Sequence, residues 1–245
     1  MIDRLQQEYK NLACIYDQRW KFYTNATISK TMEHIRNLPI SLPVNNYGNY
    51  ALQELKILEI GCGTGELTAQ LLKHFPNAAI FGIDVSSDML NLAQQKLADY
   101  QPRLRLIKQN VTDLNFPKDT FDLIISSSVW HYLTDPKTVL EHIYRVLKPK
   151  GYLLINDWCG DYLTCALLDQ YLHLTKRPHH HTYTRRELQQ LIIDHHLLVS
   201  DLITYKINWF WGMMLVISVK PEAVTPETLP LHPENTVYSA KLLPE

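Results

Sequence analysis

The chain lacks the features that mark several large classes of protein. It has no apolar run of about 18 residues, so no membrane-spanning helix is expected, and its polar start, from Met1 to Gln7, is unlike a secretion signal. Its 245 residues carry a net charge of −1, which argues against the basic surface that a nucleic-acid partner usually requires. The four cysteines, at positions 14, 62, 159 and 165, form no Cys-x-x-Cys pair, which favours reduced thiols and a cytoplasmic location.

Glycine is also scarce, but three of the eight glycines lie close together. They are Gly61, Gly63 and Gly65, in the segment Leu-Glu-Ile-Gly-Cys-Gly-Thr-Gly that begins at Leu58. An apolar run precedes them and helical spacing begins at Glu66, which predicts a strand, a tight turn and a helix start. Glycine lets a backbone approach a ligand closely, and the first amides of a helix favour negative charge. The segment therefore predicts a site for a nucleotide-like or amino-acid-like cofactor.

Strands and helices alternate beyond this turn. Strands are predicted near 56–60, 79–84, 103–108, 121–126, 151–156, 198–206 and 210–219, and helices near 66–75, 86–98, 135–147, 161–175 and 184–195. Thr184 and Glu187 form a capping box at the start of the last helix. Alternation at this spacing predicts βαβ units and a parallel sheet.

The two ends of the chain differ from this alternating region. Residues 1–35 have helical spacing, in which Phe22 to Ile35 would form a second helix, and residues 37–50 predict a loop. The last residues hold five of the thirteen prolines and predict an extended or disordered tail. We therefore expect a helical cap or lid over 1–50, a main domain over 51–220 with a substrate-side helical insertion at 158–196, and a flexible tail over 221–245.

An acidic residue ends the second predicted strand. Asp84 lies where a carboxylate can accept the ribose hydroxyls of an adenosine, which dinucleotides and S-adenosylmethionine both contain. A dinucleotide fingerprint requires a third glycine where this chain has Glu66, and a glutamate would repel a diphosphate. The ammonium group of S-adenosylmethionine suits Glu59 better, so S-adenosylmethionine is the favoured cofactor.

Five segments carry a resemblance to the class I S-adenosylmethionine-dependent methyltransferases. They begin at Leu58, Phe81, Gln109, Phe121 and Arg145 and cover about 55–157, with a weaker match over 9–24. The chain is similar to the branch that includes ubiquinone/menaquinone-biosynthesis and small-molecule methyltransferases. The resemblance implies a Rossmann-like α/β fold: a seven-stranded, mostly parallel sheet with helices on both faces, an antiparallel last strand, and a helical cap from the N-terminus and residues 158–183.

The same resemblance implies a set of cofactor-binding residues. These are Tyr16, Glu59, Gly61, Cys62, Gly63, Gly65, Asp84, Val85, Met89, Asn110, Val111, Ser126 and Ser127. The first members would surround the methionine end, Asp84 would hold the ribose, and those from Val85 to Val111 would contact the adenine, with both serines beside the sulfonium. Asn110 departs from the family, in which aspartate is usual, but its carbonyl oxygen can still accept a hydrogen bond.

The implied reaction is an in-line displacement on the sulfonium methyl group by an O, N, S or C nucleophile of a small molecule. A neutral acceptor needs a base, and the candidates are His131, after the fourth strand, and Asp157, at the end of the fifth. Each could instead cap a neighbouring helix. The histidine run 179–181 could form a loop that faces the substrate, but no metal site is expected because adjacent histidines rarely face one centre.

Aromatic residues are concentrated where the substrate pocket is expected. The candidates for substrate contact are Trp20, Tyr23, Trp130, His131, Trp158, Tyr162 and Tyr183. We expect Trp209 and Trp211 in the core or at an oligomer surface, such as that of a homodimer. The fourth strand is not followed by Asn-Pro-Pro-Tyr, which argues against methylation of nucleic-acid amino groups. Two alternatives remain open: a non-catalytic S-adenosylmethionine-binding sensor or partner subunit, and a dinucleotide oxidoreductase.

Overall fold

The described part of the chain contains one seven-stranded sheet. A computed structural model describes residues 2–40, 55–175 and 177–222. The strands are β1 (Lys56–Ile60), β2 (Ala79–Asp84), β3 (Leu104–Lys108), β4 (Phe121–Ser127), β5 (Leu147–Trp158), β6 (Leu198–Lys206) and β7 (Gly212–Val219). Their order is β3-β2-β1-β4-β5-β7-β6. Strands β1 to β5 pair in parallel and β7 is antiparallel to both of its neighbours, so the predicted sheet is confirmed.

The strand order reverses between β1 and β4. The chain runs outward from β1 through β2 to β3 and then returns to place β4 on the other side of β1. In open parallel sheets this reversal leaves a crevice at the carboxyl ends of the strands, where ligands bind. The ends of β1, β2 and β4 are Ile60, Asp84 and Ser127, so the glycine turn and Asp84 both lie at this edge.

Six α-helices and three short 3-10 helices complete the described fold. The α-helices are α1 (Ile2–Asn37), α2 (Glu66–His74), α3 (Ser87–Lys96), α4 (Pro136–Val146), α5 (Leu163–Leu174) and α6 (Arg185–Asp194). Local sequence sets where several begin: Ser86 caps α3, Asp135 caps α4, and the predicted capping box of Thr184 and Glu187 is present at α6.

Helices cover both faces of the sheet. On one face, α1 and α2 pack through residues such as Met32 and Leu71. On the other face, α4 and α6 pack through residues such as Ile143 and Leu188. Neighbouring strand residues point to opposite faces, so Ile57 belongs to the first core and Leu58 to the second.

The N-terminal segment is one helix, so the expectation of a second helix starting at Phe22 was wrong. Residues 2–37 contain neither glycine nor proline, and no local signal breaks the helix. Its last turns are fixed to β5, because Asn156 Nδ2 donates to the carbonyl of Thr27 (3.2 Å) and to Thr31 Oγ1 (2.9 Å). Tyr205 in turn donates to Asn156 Oδ1 at 3.0 Å.

The proposed division into cap, main domain and tail remains a prediction. Most of the expected loop at 37–50 and nearly all of the expected tail lie outside the described residues. Residues 158–196, the expected substrate-side insertion, contain α5 and α6, and none of them is in the described lining of the cavity at the carboxyl ends of the strands. Within the described ranges, no helix combines the length and the hydropathy that crossing a membrane would require.

Candidate active site

The glycine turn between β1 and α2 is held against the end of β2. The backbone amides of Gly61 and Cys62 donate to the carbonyl of Ile83, at 2.8 and 3.0 Å. Gly61 has a φ of +71°, and a Cβ atom there would lie 2.3 Å from Val129. Gly63 has a φ of +53°, and a Cβ atom there would meet no atom within 4 Å. The turn therefore leaves open space beside Gly63, where a ligand can approach the backbone.

Asp84 ends β2, and backbone amides hold its carboxylate in place. Gly63 N donates to Oδ2 at 2.9 Å and Ser86 N donates to Oδ1 at 2.8 Å. Burial raises the pKa of Asp84, and these amide hydrogen bonds partly oppose the rise. Each carboxylate oxygen keeps a further lone pair, so Asp84 can also accept from two neighbouring ligand hydroxyls.

Glu59 is a carboxyl group buried beneath the glycine turn. It is 3% exposed, and Thr68 Oγ1 donates to its Oε2 at 2.6 Å. Burial raises the pKa of Glu59 to about 8; the hydrogen bond from Thr68 opposes this rise and the charge of Asp84 adds to it. Among the described side chains, no cation contributes to the shift. A cationic ligand group would stabilise the ionised form of Glu59, so the site favours positive charge here.

These groups line a cavity of about 340 Å³ at the sheet edge, a volume suited to a small-molecule ligand. The expected cofactor residues that line it are Tyr16, Glu59, Gly61, Cys62, Gly63, Asp84, Val85, Met89, Asn110, Val111 and Ser127. The structure places Gly65 and Ser126 outside the lining. Gly65 instead faces Leu97, and the hydroxyl group of Ser126 is buried in the sheet.

Helix α1 closes one side of the cavity and is tied to the helices beneath it. Tyr16 lines the cavity, and the neighbouring Asp17 accepts a hydrogen bond from Thr64 Oγ1 at 2.5 Å. Lys96 of α3 donates to Asp17 at 2.7 Å and also to Glu66. Glu66, which stands where a dinucleotide fingerprint has glycine, therefore joins a charge cluster that connects α1, α2 and α3.

Hydroxyl groups line the other end of the cavity. Trp158 Nε1 lies 2.9 Å from Tyr23 Oη, which lies 2.7 Å from Ser128 Oγ. An indole nitrogen can only donate, so Tyr23 accepts from Trp158 and gives its single proton to Ser128. The alternative acceptor, Met213 Sδ at 3.9 Å, is much weaker. The hydroxyl proton of Ser128 is therefore available to a group in the cavity.

The charged side chains in the described lining of the cavity are all acidic. The described lining includes the carboxyl groups of Glu59, Glu66 and Asp84 but no lysine, arginine or histidine. Burial raises the pKa of Tyr23 well above its usual value, so its hydroxyl group is neutral. An uncharged or cationic ligand therefore fits the cavity better than an anion does.

His131 and Asp157, the two candidate bases, form a buried pair outside this lining. Asp157 accepts from His131 Nδ1 at 2.6 Å and from the backbone amides of Trp130 and Trp158 at 2.7 Å each. The ring of His131 stacks on Trp158 with a centroid distance of 4.0 Å. His131 Nε2 is buried and has no hydrogen-bond partner among the described residues. The pair thus contacts Trp158, which in turn contacts Tyr23 at the cavity wall.

Most of the residues expected to contact substrate do not reach the cavity either. Tyr23 lines it, whereas Trp130 and Tyr183 lie in the hydrophobic core that α4 and α6 cover. Tyr162 packs over Gly212, and Trp20 packs edge-on against Tyr23. The two C-terminal tryptophans differ: Trp211 joins the rings of Trp20, Tyr23 and Trp158, and Trp209 is 80% exposed.

Several cavity residues were not identified from the sequence. They are chiefly Thr24, Thr27, Ile28 and the hydroxyl group of Ser128. Thr24, Thr27 and Ile28 share a face of α1 with Tyr23, so helical spacing could have indicated them. Ser128 has a φ of +59°, and its role depends on contacts with α1 and β5 that no local pattern reveals.

The comparisons with known proteins agree with this geometry. Residues 57–151 match a family model described as a methyltransferase domain. The chain is 36% identical over 154 residues to a malonyl-[acyl-carrier protein] O-methyltransferase from Priestia megaterium, covering 63% of this chain and 51% of the relative. It thus spans about half the length of that relative.

Two solved structures share the fold. One is a putative methyltransferase from Haloferax volcanii in complex with the Trm112 methyltransferase activator, with a TM-score of 0.66, 17% identity, and coverage of 90% of this chain and 99% of that chain. The other is a geranyl diphosphate C-methyltransferase from Streptomyces coelicolor in complex with Mg²⁺, geranyl diphosphate and S-adenosyl-L-homocysteine. It has a TM-score of 0.58, 14% identity, and coverage of 68% of this chain and 73% of that chain.

Proposed function

We propose that the chain, whose residues 57–151 match a methyltransferase domain, transfers a methyl group from S-adenosylmethionine to a small-molecule acceptor. The observation that carries this proposal is the pair of carboxyl groups beside the open glycine turn, the buried Glu59 and the half-buried Asp84. A cofactor with one ammonium group and two ribose hydroxyls has the chemistry that this pair would bind.

The residues present fit the cofactor by their own chemistry. Glu59 would accept from the ammonium group, and Asp84 would accept from the ribose hydroxyls while its amide partners keep its carboxylate oriented. The open space beside Gly63 would let the methionine end lie against the backbone. Val85 and Met89 would flank the adenine, and Asn110 would bind its edge.

The cofactor supplies an electrophilic methyl group, and the chain supplies alignment and exclusion of water. Tyr16 and the charge cluster of Asp17, Lys96 and Glu66 would hold α1 over the site. Ser127 and Ser128, at the end of β4, would lie on the side of the methyl acceptor. The hydroxyl group of Ser128 would donate a hydrogen bond to that acceptor.

The charges of the cavity favour an uncharged acceptor. At the hydroxyl end, where the acceptor would lie, the described lining offers a carboxylate no lysine, arginine or histidine to balance its charge. The Priestia megaterium relative is named for malonyl-[acyl-carrier protein], but the present cavity supports an alcohol, phenol, thiol, amine or carbon acid better than a carboxylate. This fits the broader expectation of an O, N, S or C nucleophile.

We propose that His131 and Asp157 act as positioning residues. Asp157 fixes the backbone of Trp130 and Trp158, and His131 supports the ring that donates to Tyr23. In this arrangement neither side chain reaches the described lining of the cavity, so the proton of a neutral acceptor would pass to solvent.

Three further expectations remain proposals. The cysteines that the structure describes, Cys62, Cys159 and Cys165, are free and buried, which supports a reducing compartment such as the cytoplasm. A homodimer is supported by the exposed ring of Trp209. The acidic cavity supports a partner other than nucleic acid.

The experiment is calorimetric titration of the full chain with S-adenosylhomocysteine and, separately, with NAD, followed by a methyl-transfer screen over phenols, thiols, amines and quinols with matched carboxylates. We expect micromolar binding of S-adenosylhomocysteine, no binding of NAD, and turnover on a neutral class. Binding without turnover on any class would favour a sensor or partner subunit. Absence of S-adenosylhomocysteine binding would overturn the cofactor proposal.

A further inference from the structure

A cluster of metal-ligating side chains lies outside the cavity, where α5 meets the loop before α6. Asp169 and His173 stand one helical turn apart on α5, and His179 comes from the loop. Spacing along the chain did not suggest a metal site, because the histidine run contributes only one member of this cluster. Each of the three residues offers one ligand atom, and these atoms all lie within 4.8 Å of one another.

The distances suit a four-coordinate divalent cation. Asp169 Oδ2 lies 3.5 Å from His173 Nδ1, and Asp169 Oδ1 lies 2.7 Å from His179 Nε2. Zinc bonds to nitrogen and oxygen are about 2.0–2.2 Å long, so ligand atoms around a tetrahedral zinc ion are roughly 3.4 Å apart. The two distances involve different oxygens of Asp169: the spacing of Oδ2 to His173 matches this value, and the shorter contact of Oδ1 with His179 is a hydrogen bond that the ion would replace.

Neighbouring groups hold two of the three ligands in place. The side chain of His179 is 1% exposed, and its Nε2 lies 2.7 Å from Asp169 Oδ1. The amide of Thr182 donates to Asp169 Oδ1 at 2.6 Å, an outer contact of the kind that orients metal-binding carboxylates.

The third ligand leaves one side of the site open. His173 is 49% exposed, so a water molecule can reach a fourth position. Its Nδ1 also contacts the backbone carbonyl of Asp169 at 2.8 Å, a contact that metal binding would replace. His179 Nδ1 points away from the carboxylate and is buried without a partner in the described residues, so Nε2 is its atom for the metal.

We propose that Asp169, His173 and His179 bind one zinc-type divalent cation, with water at the fourth position. The ion would fasten the loop that carries His179 to α5. That loop lies against the cavity wall from behind, because the ring of His179 stacks near Trp158 at 5.8 Å and the amide of His180 donates to the carbonyl of His131. The proposal does not depend on the reaction of the cavity.

The test is equilibrium dialysis of the full chain against zinc chloride, with cobalt(II) absorption as an independent report of coordination. We expect one equivalent to bind, and His173→Ala to weaken binding at least tenfold. His34→Ala is the matched control, because His34 Nδ1 makes the same contact with a carbonyl four residues earlier, at 2.9 Å, in α1. That variant should bind as the unchanged chain does.

A second pair of variants separates this site from the histidine run. Asp169→Asn keeps an oxygen for the amide of Thr182 but removes the charge, so it should also lose the ion. The double variant His180→Ala with His181→Ala should keep it. Binding well below one equivalent, or binding that survives both His173→Ala and Asp169→Asn, overturns the proposal. Loss in the double variant alone would assign the metal to the run and would overturn it as well.

Discussion

The two ends of the cavity are built from different groups and held together over different distances. At the glycine turn, the buried Glu59 and the half-buried Asp84 accept hydrogen bonds from Thr68 and Gly63, which lie 9 and 21 residues away in the chain. At the other end, the hydroxyl groups of Tyr23 and Ser128 are joined across 105 residues. The first end, which would bind an ammonium group and a ribose, is built from neighbouring segments of the chain. The second end depends on how α1 packs on the sheet. Changes at the two ends should therefore have separable effects.

The largest effect on cofactor affinity is expected from Asp84→Ala, at the end of the cavity that holds Glu59 and Asp84. The change removes the acceptor for the ribose hydroxyls and leaves the amide of Gly63 without its partner. Hydrogen bonds to a charged group contribute about 1.5–3 kcal/mol each, so S-adenosylhomocysteine should bind roughly 100-fold more weakly in a calorimetric titration. Asp99→Ala, at an exposed carboxylate just after α3, is the control and should bind normally. A loss of less than about threefold for Asp84→Ala would contradict the ribose role.

Glu59→Gln should reduce cofactor affinity by about tenfold and remove its dependence on pH. The pKa of Glu59 is about 8, so the unchanged chain must ionise this group to bind an ammonium. Its affinity for S-adenosylhomocysteine should therefore rise between pH 6 and pH 8.5, whereas that of the variant should stay flat. An affinity in the unchanged chain that is constant over this range would refute the pairing of Glu59 with the ammonium group.

Glu59→Gln should also change how the stability of the ligand-free chain depends on pH. The folded pKa of Glu59 is raised above its unfolded value of about 4.3, so the folded state holds a proton that the unfolded state releases. The free energy of unfolding should thus fall as pH rises from about 4.3 to 8. Glu59→Gln should melt at a higher temperature than the unchanged chain at pH 8.5 and show a much smaller difference at pH 5. Glu141→Gln, at an exposed site on α4, should show neither effect.

Tyr23→Phe addresses the hydroxyl end. The change leaves Trp158 Nε1 without an acceptor and frees Ser128 to turn its proton away from the cavity. We expect kcat/KM for the identified acceptor to fall about tenfold while S-adenosylhomocysteine affinity changes less than twofold. Tyr171→Phe, at an exposed ring on α5, should change neither value. Equal losses of cofactor affinity and turnover would show that the two ends are not separable.

His131→Gln distinguishes a positioning role from a base. Glutamine can still donate to Asp157, so the variant should fold, with a lower melting temperature because the stacking on Trp158 is reduced. We expect kcat to fall only a few-fold and its pH profile to keep its shape. A general base contributes about 100-fold or more, so loss of the acidic limb of the profile together with a drop of that size would restore His131 as the base.

The sequence was informative where structure is local. The glycine turn, Asp84 and Asn110 lie at the ends of successive strands, so strand spacing alone brings them to one edge. The capping box at Thr184 was equally readable, because it needs only four consecutive residues. These patterns were sufficient to predict the sheet and most of the residues at the end of the cavity that holds Glu59 and Asp84.

The hydroxyl end could not be read in the same way. Trp130 and Trp158 flank Asp157 in space, yet one ring turns into the core and the other faces Tyr23. An aromatic residue after a strand has no local signal that decides between these directions, since the choice depends on packing against α1, α4 and β7. The placement of the first helix is also non-local, because Asn156 on β5 fixes it through Thr27 and Thr31.

The smallest effect is expected from Asn110→Asp, which introduces the residue usual in the family. Asn110 Oδ1 accepts from the amide of Thr112 at 3.2 Å at the start of a short turn, and aspartate caps such turns equally well. The second carboxylate oxygen would accept more strongly from the exocyclic amine of adenine, but its charge would lie near Asp84. We therefore expect a gain in S-adenosylhomocysteine affinity of only about threefold. S-inosylhomocysteine, which lacks that amine, should not share the gain; if it does, Asn110 does not bind the adenine edge.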